Sequence, residues 1–165
     1  SKTISFGTAG LKMQAGNGNT ISIQPSLHGL TLKLADGNNI HIAQAFDSGH
    51  IRGLQFSMPT KAPWFGGGER SLPLNRVGQR IPLYNNAHYG YELNADELNY
   101  SVPFIFTTAG FGLLFDNPSK GYLDFGKTTA GILEAGFSSG DVNVMIIPGK
   151  TPEEIIYVLI GFEIR

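Results

Sequence analysis

The stretch LTLKLADGNNIHIAQAF (residues 30–46) alternates apolar and polar side chains twice, with Asp36-Gly37 between the two runs. Alternation with a period of two marks a strand that buries one face, and Asp-Gly accepts the positive φ that a tight hairpin turn requires. Two antiparallel strands are therefore expected here. Working outward, the same pattern recurs. TISIQP (20–25) precedes the hairpin; RGLQFSM (52–58), RIPLY (80–84), SVPFIFTT (101–108), FGLLFDN (111–117), YLDFG (122–126) and VNVMIIPG (142–149) follow it. Ala109-Gly110 closes a second expected hairpin. Pro103 has no N–H to give a ladder, so it marks a strand start or an edge.

One segment departs from the alternation. In GKTPEEIIYVLIGF (149–162), Thr151 is a candidate N-cap, Pro152 stands at the first helical position and Glu154 completes a capping box. Ile155, Ile156 and Leu159 follow at helical spacing, which predicts a terminal helix. No repeat and no linker divides the chain, so residues 1–165 are expected to form one domain. The fold class is all-β: a sandwich of two antiparallel sheets with one short C-terminal helix.

Composition narrows the function. The net charge is -1, with 15% charged residues and no block of like charges, which argues against electrostatic binding of nucleic acid or a membrane surface. No apolar run reaches the roughly 18 residues of a membrane span. No signal-peptide pattern opens the sequence, and the compartment stays unassigned. The absence of cysteine excludes disulfides and thiolate metal sites. The 22 glycines and 11 phenylalanines fit frequent turns between short aromatic strands.

Few residues carry obvious chemistry. PWFGGGERS (63–71) is glycine-rich, but no lysine stands where a phosphate loop needs one, and Pro73 follows where a helix would have to begin. Gly66, Gly67 and Gly68 are contiguous, unlike the spaced glycines of a dinucleotide fingerprint, so a strand that turns or bulges is expected. His28, His41, His50 and His88 form no metal-ligand spacing, and no metal or cofactor is expected. Asp96, Glu97, Asp116, Asp124, Glu134 and Asp141 could serve acid–base work, yet spacing selects no pair. The longest stretch without an expected element is NNAHYGYELNADELN (85–99), whose polar-aromatic composition suits a functional loop.

From Trp64 onward the order of motifs resembles the N-terminal sandwich domain of glycoside hydrolase family 31, which includes α-glucosidases and α-xylosidases. Gly68-Glu69, followed by Arg70, matches a Gly-rich turn ending in Gly-Glu. Tyr84-Asn85 stands at an aromatic-Asn pair, Val102-Pro103-Phe104 at an Ile/Val-Pro-Phe strand, and Gly110 to Leu114 at a Gly-aromatic-Gly-Leu strand. Asp116-Asn117-Pro118 follows, and Pro148, Gly149, Thr151, Pro152 and Glu154 match the entry into a helix. The match spans about residues 64–156, with 29–37 and 52–59 compatible.

The resemblance implies a galactose-mutarotase-like sandwich that precedes a catalytic (β/α)8 barrel of a retaining α-glycosidase. The two catalytic aspartates of the family lie in that barrel, so no catalytic residue is expected within these residues, and the chain alone is expected to be inactive. The barrel is the implied partner, and an α-linked oligosaccharide the implied substrate of the parent enzyme. One loop of the sandwich reaches the family's sugar pocket. Here it corresponds to residues 86–99. The usual Trp-Asn-Thr-Asp is replaced by Tyr84-Asn85-Asn86-Ala87, which lacks the carboxylate. Asn86, His88, Tyr89, Tyr91 and Asp96 are the expected rim residues, since rings stack on sugar faces and polar tips meet hydroxyls. Gly66, Gly67, Gly68, Glu69 and Arg70 are expected to serve structure or the domain boundary, for instance through a buried Glu69–Arg70 charge pair. Two alternatives compete: a free-standing carbohydrate-binding or interaction module without a barrel, and an aldose epimerase needing histidines and a carboxylate that converge on one sheet face.

Overall fold

Each alternating run forms a strand because one of its faces finds apolar cover. The structure, a computed structural model, describes residues 11–14, 20–26, 29–34, 37–59, 61–85, 90 and 100–163. Among these, the chain forms β1 (Leu11–Gln14), β2 (Thr20–Ser26), β3 (Gly29–Lys33), β4 (Asn39–Asp47), β5 (Arg52–Ser57), β6 (Trp64–Gly66) and β7 (Arg80–Leu83). There follow β8 (Phe104–Thr107), β9 (Phe111–Asp116), β10 (Gly121–Phe125), β11 (Ile132–Phe137), β12 (Asn143–Pro148) and α1 (Pro152–Glu163).

The strands make two antiparallel sheets. The larger runs β1-β2-β3-β4-β5-β11-β10-β7 and the smaller β12-β9-β8-β6. The fold is an all-β sandwich with one short helix, as the sequence predicts. Residues 30–46 form the β3–β4 hairpin, registered from Leu30 opposite Ile42 to Lys33 opposite Asn39, with Gly37 at φ 90°. Pro103 directly precedes β8, which lies inside the smaller sheet between β9 and β6, so it marks a start and not an edge. Gly110, at φ 95°, turns the β8–β9 hairpin.

Two strands, β1 and β11, add to those expected from the sequence. The second matters more, because β11 joins β5 to β10 in the middle of the larger sheet. Its Leu133, Ala135 and Phe137 point inward and are fully buried.

The main core lies between the sheets. Trp64, Phe56, Phe115, Phe125 and Phe137 are its largest wholly buried side chains, each contributing on the order of 2 kcal/mol by leaving water. Trp64 meets Phe111 edge-on, with centroids 5.6 Å apart and planes at 80°. A smaller cluster of Phe104, Ile147 and Ile155 lies where α1 packs against β8 and β12. Thr151 caps that helix, its Oγ1 accepting from Glu154 N at 3.3 Å, while the Glu154 carboxylate accepts from Lys150 N at 2.8 Å. The reach to Lys150 places this bond one residue before the cap.

Candidate functional site

Between β6 and β7 the chain has no regular ladder, so its buried carbonyls must find other donors. Two arginines supply them. Arg76 donates from Nε to Gly66 O at 3.0 Å and from Nη1 to Pro73 O at 2.9 Å and Leu72 O at 3.3 Å. Asn75 Oδ1 accepts from Trp64 N and Val77 N, both at 3.2 Å. The segment is thus folded onto itself around the buried Arg76 and the exposed Asn75.

The glycine run directs this segment towards residues 100–104. Gly66, Gly67 and Gly68 have φ of 102°, 82° and 86°, a region side chains avoid. A Cβ at each would overlap a neighbour: 2.4 Å from Phe104 O, 2.2 Å from Ile81 Cδ1 and 2.3 Å from Tyr100 O, respectively. Close backbone approach follows, with Gly67 N donating to Phe104 O and Glu69 N to Tyr100 O, both at 2.9 Å. The run brings residues 66–69 close against Ile81 and residues 100–104.

Arg70 completes the junction. Its Nη2 donates to Pro82 O and to Ser101 Oγ, each at 2.7 Å, and its Nη1 donates to Glu69 O at 2.8 Å and Tyr100 O at 3.4 Å. Arg70 is buried and Glu69 exposed, and their side chains do not pair, which corrects the expected buried charge pair. The guanidinium bonds of Arg70 described above run to three backbone carbonyls and one hydroxyl. Asn85 Oδ1 accepts from Ser101 N at 2.7 Å, and Ser101 Oγ lies 3.4 Å from Tyr84 O as its donor. Residues 82–85 and 100–101 therefore meet at a bonded neck, from which the 86–99 segment departs. The expected rim residues Asn86, His88, Tyr89, Tyr91 and Asp96 lie outside the described residues.

Beside the neck is a pocket of about 310 Å³, lined by Leu83, Tyr84, Asn85, Ser101, Asn117 and Lys120 among others. Most of its polar groups are already engaged. Asn117 Nδ2 donates to Ser139 O and Asp141 O at 2.9 and 3.0 Å, and its Oδ1 accepts from Ser119 N and Oγ at 2.8 and 2.7 Å. Lys120 Nζ lies 4.0 Å over the Tyr84 ring.

A second polar group occupies the outer face of the larger sheet. Arg80, Asp124, Glu134 and Gln55 stand opposite one another across β7, β10, β11 and β5. Two facing carboxylates would repel, so each is neutralised or bonded separately. Asp124 accepts from Arg80 Nη1 at 3.2 Å and from the Thr128 hydroxyl at 2.5 Å; Glu134 accepts from Gln55 Nε2 at 2.6 Å and the Tyr122 hydroxyl at 2.5 Å. Burial alone would raise the Asp124 carboxyl, but bonds from Thr128, Lys127 and Arg80 outweigh it and hold it below its ordinary range. Burial pushes the Tyr122 hydroxyl up to about 12, and the adjacent Glu134 carboxylate pushes the same way.

Among the described residues no epimerase site is assembled, and His28 and His88 lie outside them. His41 bonds Thr31 across β3 and β4, and His50 is exposed in the turn before β5. Among the described residues no histidine bonds a carboxylate, and no group of three metal-ligating side chains converges. The Arg76 anchor, the Asn85–Ser101 bond and the Tyr122–Glu134 pair went unread in the sequence, since each depends on folding partners together.

Comparison with known proteins gives the family. Residues 2–124 match the model of the glycosyl hydrolase 31 N-terminal galactose mutarotase-like domain, well over half of the chain. No curated protein matches the sequence. Among solved structures, a dextranase of this family from Flavobacterium johnsoniae superposes with TM-score 0.82 at 20% identity, covering 96% of this chain and 20% of that one. A cycloalternan-forming enzyme from Listeria monocytogenes gives TM-score 0.73 at 15% identity, over 98% of this chain and 18% of that chain. A xylosidase from Aspergillus niger gives 0.65 at 15%, over 87% and 22%. The chain thus spans about a fifth of the length of these enzymes. It belongs to the glycosyl hydrolase 31 N-terminal galactose mutarotase-like domain family.

Proposed function

We propose that the chain is the non-catalytic N-terminal domain of a retaining family 31 α-glycosidase of α-glucosidase type. In this reading it braces the catalytic barrel and lends residues 86–99, with Asn86, His88, Tyr89, Tyr91 and Asp96, to the rim of the sugar pocket. The parent's substrate is an α-linked oligosaccharide.

The observation that carries the bracing role is the composition of α1. Ile155 is buried and Leu159 half-buried against the smaller sheet, yet Tyr157 is 80% exposed, Ile160 49%, Ile156 39% and Val158 38%. A helix that is apolar nearly all round belongs inside a larger structure. Apolar side chains grouped on the outer side of one element mark a surface that another part of the protein covers. The greater length of the family's enzymes supplies an occupant. A free-standing module would leave these side chains in water.

Hydrogen exchange on the 165-residue chain and on the longer protein tests this. The amides of α1 are expected to exchange at least about tenfold more slowly in the longer protein, because packing raises the cost of local opening. Equal rates in both would remove the bracing role.

A further inference from the structure

We propose that Arg70 is a positioning residue for substrate recognition, holding together the two ends of the 86–99 loop and so setting where the loop's side chains stand. The proposal rests on the reading that this loop reaches the sugar pocket.

The loop joins β7, on the edge of the larger sheet, to β8, inside the smaller one. A loop between paired strands has its ends closed by the ladder itself. Here β7 and β8 lie in different sheets, so side-chain groups must close the neck. Arg70 reaches both sides of it: Pro82 O before the loop, and Tyr100 O and Ser101 Oγ after it. Asn85 adds a single bond to Ser101 N.

The chemistry at this point suits arginine and no other cation. A planar fork donates in several fixed directions at once, whereas a lysine ammonium is a point that cannot span the same oxygens. The three glycines have the same logic, because only without a Cβ can the chain come close enough for Arg70 to lie across the neck. Substrate contacts made by the loop would depend on Arg70, while catalytic groups carried elsewhere would not.

Steady-state kinetics with maltose and isomaltose on the longer enzyme, paired with hydrogen exchange, tests the assignment. Arg70→Met is expected to raise KM about tenfold while kcat stays within about twofold, the pattern of lost uniform binding. Exchange at residues 100–102 should quicken, with β9, β10 and β11 unchanged. Arg70→Lys should fail to restore KM, and added guanidinium ion should partly restore it in Arg70→Met. Tyr89→Ala and Asp96→Ala are run beside it as direct tests of the loop. If these two raise KM and Arg70→Met does not, the role of Arg70 is overturned and the loop's placement stands. If none of the three changes KM, the placement of the loop fails and takes this inference with it. Should Arg70→Met not fold, Ser101→Ala and Asn85→Ala each delete a neck bond at a less buried position. Both are then expected to raise KM about twofold to threefold, and an unchanged KM in both overturns the proposal.

Discussion

Tyr122 is where a single side chain most clearly feels its surroundings. Its ring lies between the backbone at Gly136, where a Cβ would come 2.6 Å from Tyr122 Cζ, and the Arg80 guanidinium, 3.7 Å over the ring. Its hydroxyl is partly withdrawn from water and donates to Glu134, so ionising it would lose hydration and, secondly, place two negative charges side by side. That holds its pKa at about 12, against about 10 in an unfolded chain. Since the folded protein keeps a proton that the unfolded chain releases, stability is full below about pH 10 and falls as pH rises towards 12. Tyr122→Phe should flatten that alkaline decline and remove a late-ionising component from the ultraviolet titration of the 6 tyrosines. Denaturant melts on both sides of pH 10 give the first; an equally steep decline in the variant would contradict the assignment.

At the scale of the element, α1 separates what the sequence states from what only the fold can state. The cap at Thr151 and the start at Pro152 are readable because they depend on neighbours three and four residues apart. Which helical face is buried is less readable, because Ile155, Ile156, Val158, Leu159 and Ile160 leave hardly any polar stripe to orient by. The structure selects Ile155, which meets Phe104 and Ile147. Ile155→Ala should therefore cost about 3 kcal/mol in chemical denaturation of the chain, while Tyr157→Ala should stay within about 0.5 kcal/mol. A comparable cost for both would mean that the helix is rotated. The same division runs through the sheets. The β3–β4 hairpin is legible from alternation and Asp-Gly, both local signals. In β11, ILEAGF hides its inward Leu133, Ala135 and Phe137 behind a small residue and an adjoining glycine, which weaken the alternation. The neck was beyond reach for a different reason: Arg70 meets partners 12 and 31 residues away, and no local pattern encodes that distance.

For the whole molecule, the question is whether the sandwich recognises sugar by itself. The pocket beside the neck, about 310 Å³, has room for a sugar ring, and Tyr84 offers an aromatic wall. Volume does not decide it. A sugar is held by donors and acceptors that are free to meet its hydroxyls, and here Asn117, Ser119 and Ser101 are committed to backbone or to one another. Lys120 already covers the Tyr84 ring. Opening these bonds for a ligand would forfeit contacts of similar worth, leaving little net gain. Titrating the 165-residue chain with maltose and with isomaltose should accordingly give no saturable heat, the result expected if, as proposed, the sandwich only rims the sugar pocket of a longer enzyme. Saturable binding by the chain, abolished by Tyr84→Ala, would place the recognition site in the sandwich and favour a free-standing binding module. Absence of binding, together with slowed exchange of α1 in the longer protein, would support the proposed role of the sandwich as a brace that holds no sugar site of its own.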